Sequence, residues 1–201
     1  MSEAASPLQN RALVLGSSSP YRRELLSRLQ LEFSVEPPEV DESARPGEHP
    51  RDLAVRLALA KAQAVAERFP QAIVIGSDQV AELAGEAIGK PGTHEKAVAQ
   101  LRQMRGESVV FHTAVAVVCA ASGFKELDLA EVKVKFRRLT NAEIDSYLLM
   151  EQPYDCAGSA RSEGLGVALL DAIESDDPTA LVGLPLIRTC RMLRAAGLKV
   201  L

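Results

Sequence analysis

Two short apolar runs, Ala12 to Leu15 and Ala72 to Ile75, each break off at a Gly-Ser pair, and each adjoins a stretch with helical spacing. Four residues are too few for a helix, and the second run is rich in β-branched side chains, so both read as strands. After the first, Pro20 suits an opening helical turn, with Leu25, Leu26 and Leu29 recurring at helical spacing. The Gly16 to Ser19 loop therefore joins the end of a strand to the start of a helix. Open α/β sheets bind ligands at such joints, and the unpaired N–H groups of a first helical turn attract anions.

A second helix is predicted from about Pro50 to Phe69, with Leu53, Leu57, Ala60 and Ala64 on its apolar stripe and Lys61 beside it. Asp78 then falls just past the end of the 72–75 strand. Val80 to Gly89 reads as a hairpin turning at Ala84-Gly85-Glu86, and Thr93 caps a helix that stops at Gly106. Strands are predicted near Val109 to Val118 and Leu127 to Phe136, the second with one wet face. Thr140 and Glu143 stand at capping-box spacing ahead of a helix through Met150, which Pro153 stops. Gly158 to Gly166 reads as a loop, Val167 to Ile173 as a strand, and Pro185 to Ala196 as a last helix ending at Gly197.

This order of elements is mixed α/β, and 201 residues at 47% hydrophobic suffice for one real core. Residues 1–10 form a polar tail and 11–201 one domain with two lobes around one cleft. A net charge of −4 and few aromatic residues argue against a surface for nucleic acid polymers, while leaving room for a small anionic ligand. Cys119, Cys156 and Cys190 lie far apart, are odd in number and show no C-x-x-C spacing, so buried reduced thiols are expected. No apolar run approaches the ~18 residues of a membrane span and Met1 to Asn10 lacks a signal-peptide core, which points to the cytoplasm.

Several apparent signals fail on spacing. In Gly85 to Lys90 the glycines are one residue too close for a P-loop, and Pro91 follows where Ser or Thr is needed. Gly164-Leu165-Gly166 lacks the third glycine of a dinucleotide fingerprint and reads as a tight turn. His49, His94 and His112 never fall at H-x-x-x-H spacing, which favours surface or structural roles. No G-x-S-x-G occurs.

What remains is a set of charged and small residues at element edges: Ser17-x-Ser19-Pro20-x-Arg22-Arg23, Glu39-x-x-Glu42, Leu57-Ala58-x-x-Lys61-Ala62, Gly76-Ser77-Asp78-Gln79, Gly89-Lys90-Pro91, His112-Thr113-Ala114-Val115, Ala157-Gly158-Ser159 and Val182-Gly183-Leu184-Pro185. Their order, from about Leu13 to Leu193, resembles the Maf family of nucleoside triphosphate pyrophosphatases. The resemblance implies a two-lobed Maf/ITPase-like fold, a mixed twisted sheet flanked by helices around a central cleft. It also implies a homodimer, and hydrolysis between the α and β phosphates with a divalent metal, Mg²⁺ or Mn²⁺. Arg22, Lys61 and Lys90 carry charge suited to a triphosphate, and backbone N–H groups around Ser17 and Ser19 suit a phosphate cradle. Glu42 and Asp78 are hard oxygen ligands suited to the metal, and Asp78 matches the family's proton acceptor. Each residue alone reads more simply, Arg22 and Lys61 as helix-face cations and Glu42 as part of a polar loop; the joint occurrence favours the site.

The resemblance extends to two subgroups, one acting on thymidine and uridine triphosphates and one on 7-methylguanosine triphosphate. Tyr21, Gln79 and Ser162-Glu163-Gly164-Leu165-Gly166 look like the second. N7-methylation leaves a positive charge on guanine, which an aromatic face (Tyr21) and a carboxylate (Glu163) stabilise, while Gln79 can read a carbonyl or amino group. The chain has no Trp, and Tyr21 stands where a Trp is familiar in the subgroup. A pyrimidine triphosphatase and a nucleotide-binding regulator of cell division are the alternatives.

Overall fold

The computed structural model describes residues 11–201; the polar tail assigned to residues 1–10 lies outside the described residues. Seven strands form one mixed sheet: β1 (Leu13–Gly16), β2 (Ser34–Val35), β3 (Ile73–Leu83), β4 (Glu86–Ile88), β5 (Ser108–Cys119), β6 (Phe124–Phe136) and β7 (Leu170–Glu174). The spatial order is β2-β1-β3-β5-β6-β7, with β4 paired to β3. β1 runs parallel to β2 and β3, whereas β3, β5, β6 and β7 pair antiparallel in sequence. Five helices flank the sheet: α1 (Pro20–Ser27), α2 (Pro50–Arg68), α3 (His94–Met104), α4 (Asn141–Glu151) and α5 (Leu186–Ala195).

Strand alternation sorts the helices by face. Leu13, Leu15, Ile73, Ile75, Val115 and Val117 pack with Leu25 and Leu26 of α1 and Met192 and Leu193 of α5. Farther along the same face, Ala81, Phe111, Val132, Val134 and Phe136 pack with Leu101 and Met104 of α3 and Ile144 and Leu148 of α4. The even-numbered residues Val14, Val74, Ala116 and Val118 turn to the opposite face and meet Ala62, Val65 and Ala66 of α2. One sheet thus carries two separate clusters on one side and a single long helix on the other.

Several local expectations need correction. β3 does not stop at Ile75, because it stays paired to β5 from Val74↔Val118 to Glu82↔Val110; Asp78 lies inside the strand, not past its end. On α2 the buried stripe is Leu53, Ala54, Leu57, Ala58, Lys61, Ala62, Val65 and Ala66, so Lys61 sits within it, while Ala60 and Ala64 are only half-buried. In β6, Leu127 and Leu129 have the opposite parity to Val132, Val134 and Phe136, and Leu127 is exposed because α2 covers that face incompletely. The segment 165–169 forms a 3₁₀ turn before β7 begins at Leu170. The two-residue β2 carries too little pattern to be read from sequence. Of the three free cysteines only Cys119 is buried.

The turns and caps follow local chemistry. Ala84 and Gly85 both take positive φ between β3 and β4, the geometry of a tight hairpin turn. Thr93 caps α3, and Thr140 with Glu143 forms a reciprocal capping box on α4. Among the described residues no helix is long and apolar enough to cross a membrane.

Candidate active site

On one edge of β3, residues 73–76 pair with β1 and residues 81–83 pair with β4, which leaves 77–80 without a strand partner on that side. A cleft of about 570 Å³ opens at this gap, within the range of small-molecule sites. Its lining includes Ser17, Ser19, Tyr21, Arg22, Glu42, Lys61, Asp78, Gln79, Lys90 and Glu163, every candidate residue derived from the sequence.

Gly76 sets the depth at which α2 sits on the sheet. A Cβ there would stand 2.4 Å from the Ala58 carbonyl oxygen and 2.5 Å from the Ala62 nitrogen, so only glycine allows this approach. Lys61, between those two alanines on α2, thereby reaches Asp78 Oδ1 with its Nζ at 2.6 Å. The same Nζ meets Glu42 Oε1 at 2.9 Å. Lys61 and Asp78 are both buried, and burying either charge alone would be costly; the pair compensates. Glu42, on an exposed loop, is held near by the chain that follows it: Arg56 of α2 donates to Ser43 O at 3.0 Å and to Glu48 Oε2 at 2.7 Å. Arg56 keeps the Glu48 carboxyl down at about 2, so this strap is charged at neutral pH.

The β1–α1 joint supplies one wall of the cleft. Ser19 caps α1 by accepting from Arg22 N, and Ser17 Oγ accepts from Ser19 N at 3.1 Å. Arg22 Nε donates to the Gly183 carbonyl at 2.8 Å, and Ser77 Oγ donates to the same carbonyl at 3.0 Å. Gly183 presents that oxygen from a φ of 125°, a conformation that favours glycine. Packing draws the Arg22 pKa below its ordinary value, with Asp78 and Glu42 opposing the shift, so the guanidinium stands in the field of both carboxylates.

At the far end of the cleft, the Tyr21 hydroxyl donates to Asp155 Oδ2 at 3.3 Å, and burial first, then Cys156 and Asp155, raise its pKa. It is therefore a neutral donor. Burial pushes the Cys156 thiol up to about 11, which keeps it protonated at neutral pH. Gln79 spends its amide nitrogen on Thr113 Oγ1 and the carbonyls of Ala180 and Leu181, at 2.9 to 3.0 Å. Only its Oε1, an acceptor, remains open to a ligand, which fits a donor rather than a carbonyl.

Asp155 and Arg161 belong to this neighbourhood; the sequence reading placed Arg161 in the 158–166 loop without giving it a role, and singled out nothing at Asp155. The histidines have structural partners: His49 caps α2, His112 meets Glu82 at 2.7 Å and His94 meets Tyr154 at 3.0 Å. Among the described residues no group of three His, Cys, Asp or Glu side chains is placed to hold a metal ion. Glu42 and Asp78, however, converge on one ammonium, and this all-oxygen pair fits a hard ion that takes its other ligands from phosphate and water.

A protein-family model described as Maf-like protein matches residues 12–196. The chain is similar to a 7-methyl-GTP pyrophosphatase of Albidiferax ferrireducens, 68% identical over 98% of each chain. It is similar to proteins of the same name from Polaromonas sp. strain JS666, 71% identical over 94% of this chain and 86% of that one, and from Methylobacillus flagellatus, 57% identical over 94% and 98%.

Proposed function

The chain belongs to the Maf family, and from that premise we propose that it is a hydrolase converting 7-methyl-GTP to 7-methyl-GMP and pyrophosphate, so that modified nucleotides are removed before incorporation. The observation that carries this reading is Lys61 clasped between Asp78 and Glu42, beside the Ser17–Arg22 wall, in a cleft with an aromatic and acidic far end. The triphosphate lies along Arg22, Lys61 and Lys90, whose charges offset its own. Asp78 accepts the proton of the attacking water; the water oxygen bonds to the α phosphorus as the bond from that phosphorus to the α–β bridging oxygen breaks. Lys61 holds both carboxylates in place for that role. A divalent ion at Glu42 and Asp78, Mg²⁺ or Mn²⁺, supplies neutralisation of phosphate charge and lowers the pKa of water. The base sits between Tyr21 and Glu163, with Gln79 Oε1 accepting from its edge. The resemblance further suggests a cytoplasmic homodimer built from one two-lobed domain.

The test is pyrophosphate release from 7-methyl-GTP, GTP, dTTP and UTP with Mg²⁺ or Mn²⁺. The expected outcome is the highest kcat/KM for 7-methyl-GTP, and a loss of about 10²- to 10⁴-fold in kcat for Asp78→Asn. Preference for dTTP or UTP would overturn the base assignment, and full turnover by Asp78→Asn would remove that residue from the chemistry.

A further inference from the structure

Arg161 is absent from the lining of the cleft, yet it touches both groups assigned to the base. Its guanidinium carbon stands 5.5 Å from the centre of the Tyr21 ring, within cation–π range. Its Nε meets Glu163 Oε1 at 3.4 Å, and its Nη1 meets Glu151 Oε1, on α4, at 3.1 Å. The backbone of Arg161 is equally engaged. Its N–H donates to the Tyr147 hydroxyl at 3.0 Å, and its carbonyl accepts from Gly164 N and Gly166 N at 3.1 and 3.0 Å. A Cβ on Gly166 would stand 2.4 Å from that carbonyl oxygen, so the loop carrying Glu163 closes around Arg161 only with glycine there. Glu151 secures the other side by accepting from Leu165 N at 2.9 Å.

We propose that Arg161 is the positioning residue for base selection: it ties Tyr21 of α1 to the Glu163 loop and fixes the spacing between the aromatic face and the carboxylate. Asp155 meets the Tyr21 hydroxyl, and Glu151 and Glu163 both pair with Arg161, so three carboxylates flank the Tyr21–Arg161 contact. That acidic flank favours a ligand bringing its own positive charge, as an N7-methylated purine does. The inference rests on the 7-methyl-GTP reading and adds a residue that acts through Tyr21 and Glu163 rather than on the nucleotide.

The test compares kcat and KM for 7-methyl-GTP and GTP in the full chain, in Arg161→Ala and in Arg161→Lys. For Arg161→Ala, KM for the methylated nucleotide is expected to rise by about tenfold, the effect falling on KM more than on kcat, so that the preference over GTP shrinks. Lysine keeps the charge but not the planar fork, and should restore part of the preference. Combining Arg161→Ala with Glu163→Gln should add less than the two separate effects. A preference at the wild-type level in the alanine variant, or an equal loss for both nucleotides, overturns the proposal. If the alanine variant does not fold, the lysine variant decides, and a wild-type preference there overturns it as well. Failure of the underlying reading shows separately, as wild-type protein that prefers another nucleotide; the inference is then measured on that nucleotide, where an unchanged KM overturns it.

Discussion

Burying an ammonium in the middle of a helix is costly without carboxylates beside it, and Lys61, 5% exposed, has two within 2.9 Å. Removing one partner of such a pair leaves the other buried and uncompensated, which typically costs about 3–5 kcal/mol. Lys61→Met should therefore lower the urea midpoint as well as turnover. Adding Asp78→Asn to it should recover much of the stability and none of the activity. A single variant as stable as the wild type would mean that the pair contributes nothing to folding. Lys61 alone reads as a surface cation on a helix; its burial follows from Gly76, fifteen residues later in the sequence, which draws α2 onto β3. No pattern within the helix contains that information.

At the scale of elements, periodicity located every helix and most strands, because caps and stops are local chemistry. Thr93, Thr140, Glu143 and Gly106 each do in the structure what their spacing predicts. Misplaced features depended on partners distant in sequence: β3 runs through Gly-Ser-Asp because β5 pairs with it, and the Leu127–Leu129 parity makes sense only once α2 is seen to cover half a face. The candidate residues were legible as types, whereas the Gly183 carbonyl shared by Arg22 and Ser77 and the Arg161 bridge were not. The α4 capping box offers a pH test. Hydrogen bonds from the Thr140 backbone, then from Arg137 and the Thr140 side chain, hold the Glu143 carboxyl at about 2 against a usual 4.5. A depressed carboxylate contributes its stability above the unfolded value and loses it as pH falls through the folded one. The melting temperature of Glu143→Ala should thus lie below that of the wild type at neutral pH, with the gap narrowing from pH 4.5 down to about 2. A gap independent of pH would assign the effect to helix propensity.

Over the whole molecule, β3, β5 and β6 contribute residues to both clusters, so the two clusters are joined through shared strands. A ligand bridging the cleft would contact α1 and the loop before it on one side and the loops after β4 and α4 on the other. Binding at about 100 times Kd should add roughly 2.7 kcal/mol to the folded state. A non-hydrolysable 7-methyl-GTP analogue with Mg²⁺ should therefore raise the melting temperature by several degrees, and GTP at the same concentration by less. Equal shifts for both would place the base end outside the binding site.

Asp78 and Gln79 are neighbours in one strand, so their side chains leave β3 on opposite faces, the carboxylate towards α2 and the amide towards the 180–182 turn. An inserted residue between Gly76 and Asp78 would exchange those directions and ruin both at once. A replacement at Gln79 alone, by contrast, leaves the α2 side untouched. With the roles proposed for these two residues, the architecture lets nucleobase preference drift while the bond-breaking apparatus stays constant.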